Sequence, residues 1–411
     1  PRAQRRVPST REIKPGYVSV DRAGTRLLPT FKQGRRDDRH MGGFVASATD
    51  GRVAFDRGEF TGAVGDSVTV IPLVVALATL TDVSLPHVLV GFGAFQVVWG
   101  VVYGLPLSVE PMKALAALAI AGSLTYAELA LAGVALGTVL LVVGLSGTLG
   151  AVERWIGGPV IRGVQFAVAL VLFETGLDLA LATPGVGAVG VGLVGIAALA
   201  GRRSAAGLVV VATSLAVAVS TTGLPTPTLP GLPPRPAFAA AATASAVRGT
   251  LAQLAMTVGN AALATSLLLA DRLDAEVTPD ALATSMGVMN LLAVPLGGIP
   301  MCHGCDGVSG KYAFGARTGG ANVVVGVGYL AAALVATTAL VAAIPLAMIG
   351  AVLGVVALSL ARSVRASERP LFSVAIGGLG VTTNLGLAFL LGVFTHLVWT
   401  RYANRRTDEP A

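Results

Sequence analysis

One stretch between two long apolar runs holds side chains that could do chemistry. Residues 295–319, PLGGIPMCHGCDGVSGKYAFGARTG, contain both cysteines of the chain, Cys302 and Cys305, together with His303 and Asp306. Polar and ionisable groups at bilayer depth cost roughly 2.5–3.5 kcal/mol each, so they usually mark a binding site or a transport pathway.

The composition of this stretch predicts a broken membrane span. Seven of its 25 residues are glycine, and Pro295 and Pro300 precede the polar part. We expect extended backbone here, then a short helix from about His303. The N-terminus of such a half-helix has free N–H groups and a partial positive charge, which suit an anion. The N–H groups around Gly304 would face that anion, and His303 would donate a hydrogen bond or respond to pH.

The two cysteines also allow a different class of function, a membrane redox or metal-sensing protein that uses Cys302 and Cys305. A zinc site usually needs four ligands, and a thioredoxin-like motif needs its own soluble fold. We therefore prefer the anion interpretation and predict no metal and no cofactor.

Composition places the chain in the membrane. Of its 411 residues, 54% are hydrophobic and 12% are charged, whereas a soluble domain has roughly 25% charged residues. The apolar runs are too long for barrel strands, so we predict an all-α polytopic membrane protein in a lipid bilayer. The net charge of +7 is attributed to loop arginines and not to nucleic-acid binding.

Hydropathy and loop charge together predict about 14 spans, seven on each side of a Pro-rich linker at 223–246. With a cytoplasmic N-terminus, most basic loop residues fall on one side of the membrane, and only Arg235 and Arg248 go against this. Both termini are then cytoplasmic, at the plasma membrane. The basic residues that fall on the cytoplasmic side in this arrangement are Arg154, Arg202, Arg203, Arg272, Arg317, Arg362, Arg365, Arg369, Arg401, Arg405 and Arg406.

The two halves resemble each other. Each begins with a polar span, GAVGDSVTVIP (62–72) or QLAMTVGNAALATS (253–266), and each has a Pro-flanked third span, PLSVEPMKALAA (106–117) or IPMCHGCDG (299–307). Because seven is odd, the second half enters the membrane from the opposite side. Paired interrupted spans in an inverted repeat point to the binding site of a transporter.

Lys113 follows Glu110 by three residues, which on a helix places both side chains on one face. Lys113 either supplies positive charge to an oxyanion or forms a buried pair with Glu110 that locks the broken helix. A buried Glu110 could also carry a proton, which would allow proton–anion symport.

Other polar groups lie inside spans. Glu174 and Asp178 form an i,i+4 pair that either moves protons or meets Arg162 or interfacial water. The side chains of the two polar first spans either contact substrate or a co-transported ion, or satisfy the backbone of the broken spans; these are Asp66, Gln253, Thr257 and Asn260. Asp66 is interpreted as structural, with a basic partner among Lys113, Lys311 and Arg317.

Four aromatic residues near span ends are predicted to anchor the chain at the membrane interface. They are Trp99, Trp155, Trp399 and Tyr402.

Four motifs in order resemble the molybdate transporter family, a branch of the sulfate permease superfamily. GLPLSVEPMKALAALAI (104–120) is similar to its P-x-P-V-Q-P-M-K-A-I-A-A signature, and GGIPMCHGCDGVSGKYAFGARTG (297–319) to its M-P-x-C-H-G signature. EFTGAVGDSVTVIPLVVAL (59–77) and QLAMTVGN (253–260) resemble the polar first spans.

The resemblance implies a core that moves against a gate, a substrate between the starts of the third and tenth spans, and a dimer. The expected segments are a polar tail at 1–57 (or a natural start at Met41), core at 58–150 and 247–342, gate at 151–222 and 343–402, and a tail at 403–411. The expected substrate-binding residues are Glu110, Met112, Lys113, Gln253, Thr257, Asn260, Cys302, His303, Gly304 and Asp306. The coupling or gating candidates are Asp66, Glu110, Glu174 and Asp306.

The chain departs from the family pattern at several site positions. Glu110 and Lys311 each replace a Gln, and Cys305 and Asp306 replace small residues. Two extra acids near a dianion are unfavourable unless they are protonated, paired or shared with a cation.

These features together predict a secondary active transporter, and not an enzyme. The expected substrate is a tetrahedral oxyanion, with molybdate first and sulfate or tungstate next, carried by alternating access and coupled to a proton or cation. A symporter for another substrate, such as a nucleobase, is the alternative that the acids at Glu110 and Asp306 leave open.

Overall fold

The computed structural model describes residues 53–202 and 205–407, so the predicted tail before residue 53 and the start at Met41 lie outside the described residues. Within these ranges most residues are helical. The helices are α1 Arg57–Leu80, α2 Leu85–Tyr103, α3 Lys113–Ile120, α4 Tyr126–Ser146, α5 Leu149–Ile156, α6 Gly158–Ala182, α7 Pro184–Leu199, α8 Ala206–Thr222, α9 Ala244–Met256, α10 Thr265–Leu273, α11 Pro279–Ala293, α12 Cys305–Ala313, α13 Gly320–Ala333, α14 Thr338–Ala342, α15 Leu346–Ala361, α16 Pro370–Thr382 and α17 Leu385–Thr407.

The apolar runs of the sequence form these helices, which confirms the all-α polytopic membrane class. In the described part, six helical stretches are long and apolar enough to cross a membrane, or seven with the bent α1, and four shorter apolar helices accompany them. The number of fourteen spans stays a prediction.

One 30-residue stretch, Ala244–Leu273, joins α9 to α10 through a π-helical turn at Thr257–Ala264. Such turns often occur at functional sites.

Two spans are interrupted by short strands. β1 (Glu110–Pro111) precedes α3, β2 (Met301–Cys302) precedes α12, and the two strands pair antiparallel. The helix expected from about His303 begins at Cys305 instead, because β2 holds the preceding residues in extended backbone.

Glycines bring the long helices into close contact. α2 packs along α13, and α4 packs along α11. A Cβ on Gly93 would lie 2.8 Å from the Gly326 carbonyl oxygen, and a Cβ on Gly326 would lie 2.7 Å from that of Gly93. Small residues at membrane helix contacts let two backbones approach in this way. If each helix were replaced by its counterpart in the other half, the pair of α2 with α13 would become the pair of α11 with α4. The inverted repeat itself stays a prediction.

A buried carboxylate joins α1 to the start of α13. Glu59 is 1% exposed, and its oxygens accept hydrogen bonds from the backbone N–H groups of Arg317, Thr318 and Ala321 at 2.9 Å each. The Ala321 N–H lies in the first turn of α13, where N–H groups lack partners within the helix. Glu59 therefore holds α1 beside the segment that follows α12.

Candidate functional site

The pairing of β1 with β2 brings the two half-helices α3 and α12 together at their N-termini. Glu110 lies opposite Cys302, and Pro111 lies opposite Met301. The N–H of Met112, the residue that precedes α3, donates to the Pro300 carbonyl oxygen at 2.9 Å. Both half-helices thus start from one short ladder inside the protein.

Buried side chains hold this ladder in place. Asn290 accepts from the Met301 N–H at 2.8 Å and donates to its carbonyl oxygen at 2.6 Å. His303 is fully buried, and its Nδ1–H donates to the Ser108 carbonyl oxygen at 3.0 Å while Nε2 accepts from the Ser285 hydroxyl at 2.7 Å. The protein itself therefore engages both ring nitrogens that were expected to serve substrate or pH sensing.

The expectation of an interfacial anchor is wrong for Trp99. Its side chain is buried and makes an edge contact with the His303 ring at a centroid distance of 6.2 Å. Trp155, Trp399 and Tyr402 are exposed, as membrane anchors would be. Trp99 instead helps to enclose the ladder from the α2 side.

Lys113 lies between two carboxylates. Its Nζ is 3.0 Å from Glu110 Oε2 and 2.7 Å from Asp306 Oδ2. Lys113 and Glu110 are buried, whereas the Asp306 side chain is 49% exposed. The pair of Glu110 with Lys113 exists, but the predicted shared helical face is wrong, because Glu110 lies in β1 and the helix begins at Lys113.

The other oxygen of Glu110 occupies the N-terminus of α12. Glu110 Oε1 accepts from the Gly307 N–H at 2.6 Å. Gly304 and Gly307 leave no room for a side chain here, since a Cβ at either position would collide with the Glu110 carboxylate. The structure thus places a carboxylate where a half-helix N-terminus favours an anion.

The N-terminus of α3 is met by a neutral oxygen. Gln253 Oε1 accepts from the Ala114 N–H at 2.8 Å and from the Leu115 N–H at 3.4 Å, and its Nε2 donates to Thr257 at 3.0 Å. This geometry corresponds to the backbone-satisfying interpretation of Gln253. Asn260 is half-buried in the π-helical turn, and its carbonyl oxygen accepts from the Thr265 hydroxyl at 3.2 Å.

A second charged pair lies behind the ladder. Asp66 Oδ2 is 3.4 Å from Lys311 Nζ, and both side chains are fully buried. Asp66 Oδ1 accepts from the Ser108 hydroxyl, which is also 3.5 Å from Glu110 Oε1. Lys311 is therefore a basic partner of Asp66, while the Arg317 guanidinium stacks on the Tyr312 ring at 3.8 Å.

The acidic pair in α6, Glu174 and Asp178, lies apart from the group around Lys113. Glu174 and Asp178 are exposed and line a cavity of about 450 Å³ together with Arg248 of α9 and the C-terminal end of α3. Arg162, offered as their partner, donates instead to Gln165 Oε1 at 3.1 Å. The structure does not bring Glu174 into the group around Lys113.

The cysteines are free thiols: Cys302 is buried in β2, and Cys305 is half-buried at the start of α12. Among the residues that the structure describes, no group of three or more His, Cys, Asp and Glu side chains could hold a metal ion.

Several residues that build the site were not singled out from the sequence. Their shared signal is a polar side chain inside an otherwise apolar span or beside a broken one. They are Gln96, Ser108, Ser285, Asn290 and Asn322.

Facing half-helix N-termini beside a lysine, inside a helical membrane protein, are the arrangement with which transporters bind anionic groups. Solved structures share the fold. The transmembrane domain of a cyanobacterium bicarbonate transporter, BicA, matches with a TM-score of 0.59 at 16% identity, over 81% of this chain and 97% of that one. The murine solute carrier 26 family member A9 anion transporter, in the inward-facing state, matches with a TM-score of 0.62 at 14% identity. The match covers 92% of this chain and 74% of that one. At these identities the likeness concerns the fold alone.

The sequence comparisons show the family. The family model "Molybdate transporter of MFS superfamily" matches residues 58–172 and 245–360, more than half of the chain. The chain therefore belongs to the molybdate transporter family. It is 27% identical to molybdate transporter 2 of Arabidopsis thaliana, over 83% of this chain and 86% of that protein. It is 28% identical to molybdate transporter 1 of Chlamydomonas reinhardtii, over 82% of this chain and 90% of that protein.

Gly307→Ala tests the packing of the site. The added Cβ would meet oxygens of Ser108, Glu110 and Asp66, so we expect a loss of about 1–3 kcal/mol of stability, typical of overpacking. Gly328→Ala is the matched control, because apart from its chain neighbours and the backbone of its own helix no heavy atom lies within 4 Å of its Cβ position. Thermal unfolding of both purified variants in detergent measures the difference, and equal melting temperatures would contradict the described packing.

Proposed function

We propose that this protein is a secondary active transporter of a tetrahedral oxyanion, with molybdate as the favoured substrate and tungstate or sulfate next. The observation that carries the proposal is the Glu110 carboxylate, bound to the Gly307 N–H at 2.6 Å and to Lys113 at 3.0 Å. A carboxylate bound in this way occupies the place that an oxyanion would take. The names of the relatives support molybdate as the anion.

The half-helices supply the positive potential. Each helix N-terminus is equivalent to roughly half a positive charge, and Lys113 adds a full one. In the described state, Gln253 and Glu110 satisfy these N–H groups. An arriving oxyanion would displace the Glu110 carboxylate from α12 and bind between the half-helices, beside Lys113. The half-exposed side chain of Asp306 marks the open side of this group.

The local charges argue for proton coupling. Two cations, Lys113 and Arg162, act on two carboxylates, Glu110 and Asp306, so a bound dianion would leave this group with a net negative charge. Protonation of Glu110 removes one charge and weakens its bond to the Gly307 N–H. A proton would therefore enter with the anion, and Glu110 would carry it.

The remaining parts of the proposal concern the moving elements. The core (58–150 and 247–342) would carry the half-helices past the gate (151–222 and 343–402), which exposes the site to each side in turn. Both termini would be cytoplasmic at the plasma membrane. The protein would form a homodimer, as the family resemblance implies.

A nucleobase symporter is the second candidate. The observation in its favour is that two carboxylates lie at the site, since Glu110 and Asp306 could accept hydrogen bonds from ring N–H groups. A nucleobase would not need Lys113 as a counter-charge, so the two candidates differ in their dependence on that residue.

Uptake of radiolabelled molybdate into proteoliposomes tests the substrate. We expect saturable uptake that unlabelled tungstate inhibits and uracil does not. Lys113→Met would lose most of this uptake because the full positive charge of the site is gone, whereas Lys113→Arg would retain part of it. Arg154→Gln, at an exposed position of α5, is the control. Inhibition by uracil, or full uptake by Lys113→Met, would reject the oxyanion site.

Glu110→Gln tests the proton. If one proton binds with each anion, the molybdate dissociation constant of the wild type rises with pH across the tested range, by up to about tenfold per pH unit. In Glu110→Gln the negative charge of this side chain is absent at every pH. The variant should therefore bind molybdate more tightly than the wild type at high pH, and its dissociation constant should be nearly independent of pH. Equilibrium binding to purified protein measures this. An unchanged pH profile in the variant would remove Glu110 from the coupling step.

A further inference from the structure

The Lys311 ammonium lies in a closed cage of oxygens. Lys311 belongs to α12 and is fully buried. Its Nζ is 2.7 Å from Asn322 Oδ1, 3.0 Å from Gln96 Oε1, 3.3 Å from the Leu107 carbonyl oxygen and 3.4 Å from Asp66 Oδ2. The four oxygens come from α13, α2, the segment before β1, and α1, so four separate parts of the chain meet at one charge.

The cage oxygens are oriented by contacts that do not involve Lys311. Gln96 Nε2 donates to Asp66 Oδ2 at 2.6 Å, which turns the Gln96 carbonyl oxygen toward the ammonium. Asn322 Nδ2 donates to the Leu107 carbonyl oxygen, which turns Asn322 Oδ1 the same way. Ser108 donates to the other oxygen of Asp66. The four oxygens would therefore keep their directions if the lysine side chain were removed.

The number and kind of these oxygens fit a spherical monovalent cation. An ammonium group has three N–H donors, but four oxygens surround this one. Carbonyl and amide oxygens with a single carboxylate are ligands that replace the hydration shell of K⁺ or a similar ion in channels. A buried carboxylate such as that of Asp66 also requires a positive partner. Here the partner is the ammonium group of Lys311, which is part of α12.

We propose that this cage is a monovalent-cation site whose cation is supplied by Lys311. In the wild type the ammonium fills the site permanently, so no free alkali cation binds there or accompanies the anion through it. Without the lysine side chain, the same oxygens would bind K⁺, Na⁺ or NH₄⁺. The inference depends on the geometry of the cage and not on which anion the protein carries.

The filled cage has a consequence for the transport cycle. Because Asp66 and Lys311 neutralise each other, the group behind the ladder keeps its charge when the anion binds or leaves. Changes of charge are then confined to Lys113, Glu110 and Asp306, which are the groups that the oxyanion would contact. Ser108, whose hydroxyl donates to Asp66 Oδ1 and lies 3.5 Å from Glu110 Oε1, links the two groups.

Thermal unfolding of purified Lys311→Ala tests the proposal. The melting temperature would be compared in the chlorides of choline, Na⁺, K⁺ and NH₄⁺ at equal ionic strength. We expect the variant to melt early in choline and to recover by about 2 °C or more, with saturation, in at least one of the small cations. The wild type should melt at nearly the same temperature in all four salts.

The matched control is the double variant Lys311→Ala/Asp66→Asn. It removes the carboxylate together with the lysine, so its stability should not depend on the cation, and it should fold better than Lys311→Ala in choline. A single variant that melts alike in all four salts would overturn the proposal. A double variant with the same cation dependence as the single one would overturn it as well.

A second readout uses the wild type and does not require the single variant to fold. Molybdate uptake into proteoliposomes should be the same with Na⁺, K⁺ or choline on both sides of the membrane. Uptake that requires one alkali cation would overturn the statement that the cage is already filled. Absence of uptake in every salt would count against the proposed function instead, and the unfolding experiment would still decide the question of the cage.

Discussion

The backbone pairing between Glu110–Pro111 and Met301–Cys302 joins two parts of the chain that are far apart in sequence, at the points where two spans are broken. Extended backbone inside a membrane protein needs hydrogen-bond partners, and here each strand supplies them to the other. The pairing also fixes where α3 and α12 begin, and so which N–H groups face each other. Lys113, Glu110 and Asp306 meet because these helix starts are adjacent.

A second layer of buried polar groups supports this ladder. Asn290 and His303 bind its backbone, and Asp66 and Lys311 pair behind it. A buried polar group is costly unless its hydrogen bonds are satisfied, so each of these side chains fixes its neighbours as well as itself. The result is a layer of paired polar groups behind the charged group of Lys113, Glu110 and Asp306. That division suits a transporter in which binding of the anion must be reversible while the surrounding helices keep their packing.

The sequence predicted the fold better than the site. Proline positions placed the breaks before α3 and α12 to within a few residues, because Pro-flanked polar segments have few alternatives in a membrane. The pairing of Lys113 with Glu110 was visible from their types and spacing. The contacts of Gln253 with the Ala114 N–H and of His303 with the Ser108 carbonyl oxygen were not, because these partners lie more than a hundred residues away and depend on how the spans pack. Trp99 shows the same limit, because its position near a span end did not reveal that its side chain is buried against His303.

In the proposed mechanism an oxyanion and the Glu110 carboxylate compete for the N-terminus of α12. A structure of the protein with bound tungstate would test this competition, because tungsten scatters strongly enough to be located without ambiguity. We expect tungstate between the starts of α3 and α12, beside Lys113, with the Glu110 carboxylate moved away from the Gly307 N–H. Tungstate bound elsewhere, with the bond from Gly307 to Glu110 intact, would contradict it.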